Sequence, residues 1–207
     1  MDDIKLQVLG QFTPEGTLSS GYGDTYIFNI GRDDCHGIMH YLLTHELLEH
    51  DFNMYGYDDP ELNEDILTQL KNPAIIVQGT LDKSQAGGVS EKKLLAMDEA
   101  NDPNFLNSIA IGESLTHQIS HTKGGVLVGL GIAYEGSMNW SASGEGTGIS
   151  LKSDVKNPTG WKAQNNTLVL STNPVFIARF RTQLGIEHRI VLQQTHDWIL
   201  QNEQQPS

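Results

Sequence analysis

An α/β fold, with a mixed β-sheet flanked by helices, is what this chain predicts, and three observations carry the expectation. Short runs rich in β-branched and aromatic residues alternate with segments of helical period. Two helical segments open with a start signal, Asp59-Pro60 and Asn173-Pro174, in which a capping side chain precedes a proline suited to the first helical position. Hydrophobic residues at 38% and charged residues at 19% of 207 are enough for a real core and exclude wholesale disorder.

In chain order, "IKLQVLGQF" and "TYIFNI" read as strands between Gly-rich turns, so residues 1–33 form an N-terminal β extension ahead of a main domain over 34–207. From Cys35 to Glu49 the period becomes helical, with Ile38, Leu42, Leu43 and Leu47 on one stripe. "HDFNMYGY" follows as a short strand. The segment opened by Asp59-Pro60 is a helix burying Leu62, Ile66, Leu67 and Leu70, and "PAIIVQGTLD" is the next strand. "GGVSEKKLLAMDEAN" is a helix capped by Ser90, and "SIAIGES", "THQIS" and "GGVLVGLGIAY" are strands. Residues 144–160 read as a surface insertion and "NTLVLST" as a strand. A final helical region from Asn173 is interrupted near Gly185. No internal repeat is present.

The charge balance, 13 Lys+Arg against 26 Asp+Glu for a formal net charge of -13, opposes nonspecific adhesion to nucleic acid or an anionic membrane. Any polyanion contact must be local and salt-sensitive. No apolar stretch approaches the roughly 20 residues that span a bilayer, and "MDDIKLQVLG" has no export pattern, so no stable membrane association is expected. Cys35, as the only cysteine, allows neither an internal disulfide nor a cysteine cage for zinc, and a reducing, cytoplasmic location fits best.

Chemistry concentrates in "SHTKGGVLVGLGIAYEGSMNWSASGE". If His121-Thr122-Lys123 is extended, the imidazole and the ammonium share one face, because side chains alternate with period two. Lysine there supplies fixed positive charge for phosphoryl oxygens, and histidine serves as nucleophile or general acid/base near neutral pH. Ser137 and Asn139 add short hydrogen-bonding groups, and a helix starting after Trp140 would turn backbone N–H groups toward an anion. On spacing alone a histidine and a lysine that merely sit at a strand end are the more ordinary reading.

A His-x-Lys pair followed, after an apolar strand, by Gly-Ser-x-Asn resembles the signature of the phospholipase D superfamily, especially its short, single-motif, Nuc-endonuclease-like bacterial members. "DFNMYGYDDPELNEDIL", "IIVQGTLDKSQ", "GSMNWSASGE" and "KAQNNTLVL" extend the likeness over about residues 34–200. It implies a phospholipase D-like α-β-α sandwich and a metal-independent phosphodiesterase with no cofactor, acting through a covalent phosphohistidine. Two histidines are needed, nucleophile and general acid. With one His-x-Lys per chain, a homodimer would bring the His121 residues together at its two-fold axis.

By the same resemblance Lys123 and Asn139 hold the phosphate, Ser137 supports the pocket, and Gly136, Trp140, Gln164, Asn165, Asp82 and Gln85 line the substrate path. The expected substrate is nucleic acid, DNA first. A phospholipid phosphodiesterase and a noncatalytic protein that binds nucleic acid or another partner stay open. Two departures stand out. The family's aspartate about five residues after the lysine is Val128 or Gly129 here, and Asn165 replaces the acidic residue that often follows the Gly-Ser-x-Asn segment.

Other patterns carry less. "HELLEH" lacks the histidine four residues after His45 that a zinc-protease helix requires, since Glu49 stands there. His36 and His40 have helical i, i+4 spacing, yet no third metal ligand is evident, so no metal site is expected. "SGEGTG" lacks the Gly-Lys-Ser/Thr ending of a nucleotide loop. Asp82, Lys83 and Gln85 line the cleft or merely solvate a turn, and packing behind the Gly-Ser turn is an alternative role for Trp140.

Overall fold

The strand that follows the His-x-Lys pair lies at the centre of the molecule. In the computed structural model, which describes residues 6–18, 23–84, 88–101, 108–114, 116–147 and 163–203, seven strands form one mixed sheet. They are β1 (Thr25–Asn29), β2 (Glu49–Met54), β3 (Ile76–Asp82), β4 (Ile109–Gly112), β5 (Lys123–Leu127), β6 (Ile132–Gly136) and β7 (Thr167–Ser171), in spatial order β1-β7-β6-β5-β2-β3-β4. β2, β3 and β4 run parallel, and β5, β6, β7 and β1 continue the sheet antiparallel. The parallel half needs crossovers, which helices supply, whereas β5 and β6 need only a turn. The predicted α/β class is the observed one.

Helices α1 (Cys35–His45), α2 (Pro60–Lys71) and α3 (Val89–Asn101) belong to the side of the main core, where Ile38, Leu42, Leu62, Ile66 and Leu94 meet Phe52, Leu81 and Leu168. A four-residue helix, α4 (Ala142–Glu145), follows Trp140, and the long α5 (Pro174–Glu203) covers the other face, where Leu184, Ile177 and Phe180 pack on Val126 and Ala133. Local signals placed several of these elements correctly. Asp59 accepts from the Glu61 and Leu62 amides, each at 2.9 Å, with Pro60 as first helical residue, and the stripe of Leu62, Ile66, Leu67 and Leu70 is buried. Asn173 likewise caps α5 by accepting from the Val175 and Phe176 amides, each at 3.0 Å.

Five expectations are corrected. Residues 8–12 of "IKLQVLGQF" form a 3-10 helix rather than a strand, with Leu9 buried in it and Leu6 buried two residues before it. Helix α1 stops at His45 because the Glu46 side chain turns back to serve backbone amides, and Leu47 is left 70% exposed instead of joining the stripe. Ser90 lies inside α3, which begins one residue earlier. "THQIS" holds a turn rather than a strand, closed by the Gln118 amide donating to Ser114 Oγ, with His117 at φ 55°. Gly185 does not interrupt α5. A glycine costs a helix roughly 1 kcal/mol, and the contacts of Phe180, Leu184 and Val191 with the sheet side outweigh that. Of the insertion read at 144–160, residues 148–160 lie outside the described residues. Among those described, no helix is long and apolar enough to cross a membrane.

Candidate active site

The registers bring the carboxyl ends of β2, β3 and β6 and the amino end of β5 to one edge of the sheet, with Met54 opposite Lys123 and Glu135 opposite Gly124. Crevices outside strand carboxyl ends are where open α/β sheets bind ligands. His121 sits just before β5 and is exposed, while Lys123, the first residue of β5, is 6% exposed. The two side chains meet as the spacing predicts, with Lys123 Nζ 3.1 Å from His121 Nδ1 and donating to the His121 carbonyl at 2.8 Å. Burial pushes the Lys123 ammonium below its ordinary value.

Tyr55, which the sequence reading passed over, completes this cluster. Its ring centroid lies 4.5 Å from the His121 imidazole, and Lys123 Nζ stands 5.0 Å above the ring. Its neighbour Gly56 lies against Asn139 so closely that a Cβ there would come within 2.8 Å of the Asn139 side chain. The 55–56 segment therefore stands between the two halves of the motif. Asn139 is half-buried, and its Oδ1 is buried without a hydrogen-bond partner among the described residues. A buried polar atom left unmatched is uncommon in a folded protein and marks this position.

Ser137 and Gly136 have a structural part in this edge. Ser137 Oγ accepts from the Thr167 amide at 3.1 Å, stitching β6 to β7. Only glycine fits at 136, where a Cβ would lie 2.1 Å from the Thr167 carbonyl oxygen. Trp140 is 1% exposed and stacks on Phe52 at 5.6 Å, so it lies behind the site as core and cannot stack on a substrate. Asp82, also expected to face substrate, is 1% exposed and accepts from the Ser120 amide at 2.6 Å. It positions the residue before His121. Asn53 does the same from β2, donating to Ser120 Oγ at 2.9 Å and to Glu187 of α5 at 2.8 Å. Lys83 pairs with Glu113.

Gln164 and Asn165 are exposed, whereas the neighbouring Asn166 is buried and donates to the Gly144 carbonyl at 3.0 Å, so the structurally engaged amide is one residue beyond the expected one. Gln85 lies outside the described residues. Of the two residues read at the place of the absent aspartate, Val128 packs toward α5 just past β5, and Gly129 donates its amide to Glu46 Oε1 at 3.0 Å. A buried carboxylate does serve that end. Glu46, 1% exposed, accepts from the amides of Leu48, Glu49, Gly129 and Leu130 at 2.7–3.1 Å.

No family model matches the chain, and no curated protein matches it. Solved structures do. Nuc from Salmonella typhimurium, a phospholipase D family member, superposes with a TM-score of 0.53 at 12% identity, over 79% of this chain and 94% of that one. The fold is that of the phospholipase D superfamily. NucT from Helicobacter pylori aligns over the same shares, 79% and 94%, with a TM-score of 0.55 and 12% identity.

Proposed function

We propose that this chain is a metal-independent phosphodiesterase that hydrolyses nucleic-acid phosphodiesters through a phosphohistidine at a site shared between two copies of the chain. The observation that carries the reading is the exposed His121 imidazole within 3.1 Å of the Lys123 ammonium, at the same sheet edge as Asn139. Lys123 and Asn139 bind the phosphoryl oxygens, drawing negative charge onto fixed donors. One His121 attacks phosphorus and its ring forms the N–P bond, while the second copy's histidine gives a proton to the departing sugar oxygen. Water then attacks the phosphohistidine, losing its proton to that second histidine, and the P–N bond breaks.

Symmetry supports the homodimer, since one chain has a single His-x-Lys and an isologous interface duplicates it at the axis. The acidic surface makes nucleic-acid binding local to this edge and steeply salt-dependent. The test is cleavage of plasmid and single-stranded DNA in excess EDTA by the parent and by His121→Ala, alongside light scattering. Cleavage that survives chelation and vanishes in the variant, from a dimer, is expected. A monomeric parent, or a variant as active as the parent, overturns the mechanism.

A second reading rests on one observation. No carboxylate stands at 165, where Asn165 is exposed, and an amide cannot offset the charge of an imidazolium. A noncatalytic binding protein on the same fold would bind DNA without cleaving it or trapping phosphate on His121.

A further inference from the structure

Four side chains from three segments converge at a place distinct from the His121 edge. His36 lies in the first turn of α1, Asp59 and Glu61 begin α2, and Glu145 ends α4. His36 Nδ1 stands 2.5 Å from Glu145 Oε2 and 3.8 Å from Asp59 Oδ2, and one donor atom of each residue lies within 4.8 Å of the others. The far ring nitrogen, Nε2, faces Glu61 Oε2 at 2.8 Å.

Two features distinguish this cluster from an ordinary ion pair. Glu145 is 2% exposed, and its second oxygen, Oε1, is buried with no hydrogen-bond partner among the described residues. A carboxylate is rarely buried with an oxygen unmatched unless a cation or a donor faces it. Glu61 on the far nitrogen supplies the outer carboxylate of a carboxylate–histidine–metal relay, accepting a hydrogen bond from Nε2–H so that the Nδ1 lone pair is free for a metal once the ion replaces the proton shared with Glu145. Asp59 is oriented as well, because its Oδ1 is held by the two capping amides and its Oδ2 is left toward His36.

We propose that His36 Nδ1, Asp59 and Glu145 bind a zinc ion. One imidazole and two carboxylates suit zinc, three protein ligands leave a fourth position for water, and an imidazole ligand disfavours magnesium and calcium. Tetrahedral bonds of about 2.0–2.1 Å separate ligand atoms by roughly 3.3 Å, so the His36–Glu145 contact opens slightly on binding. His40 is no ligand despite its i, i+4 spacing, since it turns to Asp65 at 2.8 Å. The ion would clamp α1 to two segments that also carry site residues, for Asp59 follows Tyr55 and Gly56, and Glu145 follows Asn139. It touches no reacting atom.

The test uses the full chain, stripped by chelator, dialysed and returned to Zn2+. About one zinc per chain after gel filtration is expected, with a melting temperature raised by roughly 5–10 °C at a hundredfold excess over Kd and no rise with Mg2+. His36→Ala and Glu145→Gln lose both responses, and His40→Gln keeps both. Asp59→Asn, which preserves the helix cap, binds zinc at least about tenfold more weakly. A parent without stoichiometric zinc, or His36→Ala and Asp59→Asn binding as tightly as the parent, overturns the site. These readouts contain no cleavage step, so they stand or fall separately from the phosphodiesterase reading.

Discussion

The two ends of β5 are built on opposite principles. At the hairpin end, residues 128–131 lie over a buried carboxylate, Glu46, which satisfies the amides of Gly129 and Leu130 together with those of Leu48 and Glu49. At the amino end, Lys123 is held against a histidine rather than an acid, and the buried Asn139 Oδ1 across Gly56 has no partner among the described residues. One end is saturated with hydrogen bonds and contributes stability. The other has an exposed imidazole and an unmatched amide oxygen, the arrangement that the proposed phosphate site uses.

That contrast can be broken experimentally. The largest effect expected is on His121→Ala, which lowers cleavage by about a thousandfold or more. Because His121 is exposed, the same variant keeps its urea unfolding free energy within roughly 0.5 kcal/mol of the parent. Glu46→Ala reverses the pattern, losing about 4 kcal/mol because four amides lose their acceptor, while cleavage per folded molecule stays within about threefold. Equal losses of rate in both variants would erase the distinction between the ends.

The core beneath the site sharpens the comparison through pH. His50 is fully buried between Gln69 Oε1 at 3.0 Å and the Tyr134 hydroxyl at 2.8 Å, and desolvation lowers its pKa to about 4 from 6.5. Above pH 6.5 the ring is neutral in folded and unfolded chains alike. As pH falls from 6.5 to 4 only the unfolded chain takes the proton, so this group withdraws up to about 3 kcal/mol of stability. Asp51, raised to about 6 chiefly by burial, acts with the opposite sign over an overlapping range. The measurement is therefore the difference in acid unfolding between the parent and His50→Gln, and a parent no more acid-sensitive than the variant refutes the linkage.

The smallest effect is at the junction of the motif halves. Gly56→Ala pushes on Asn139 from 2.8 Å and is expected to cost about 1–2 kcal/mol. Cleavage should fall roughly tenfold as the Asn139 amide is displaced. A structurally neutral substitution with full activity would show that Gly56 does not set the Asn139 position.

Much of this was legible locally. The alternation of helix and strand periods announced the sheet, Asp59-Pro60 and Asn173-Pro174 marked helix starts, and the spacing of His121 and Lys123 placed two side chains in contact. The readings that failed were also local. Periodicity alone took Leu47 into a helical stripe, and β-branched content took "THQIS" for a strand, because neither accounts for side chains that claim backbone amides, as Glu46 and Ser114 do. For Trp140 and Asp82 the sequence left a substrate role and a structural one open, and burial decided for the structural one in both.

By itself, then, the sequence determined the fold class, the caps at Asp59 and Asn173 and the His-x-Lys pairing, signals carried by residues close together in the chain. Tertiary structure decided which groups are inside and what they meet. Tyr55 reached His121, Glu46 reached the hairpin turn, and His36 reached Glu145 across 109 residues. No periodic pattern encodes such pairs, because their spacing is set by where the strands and helices pack, and that depends on the whole chain burying its apolar surface at once.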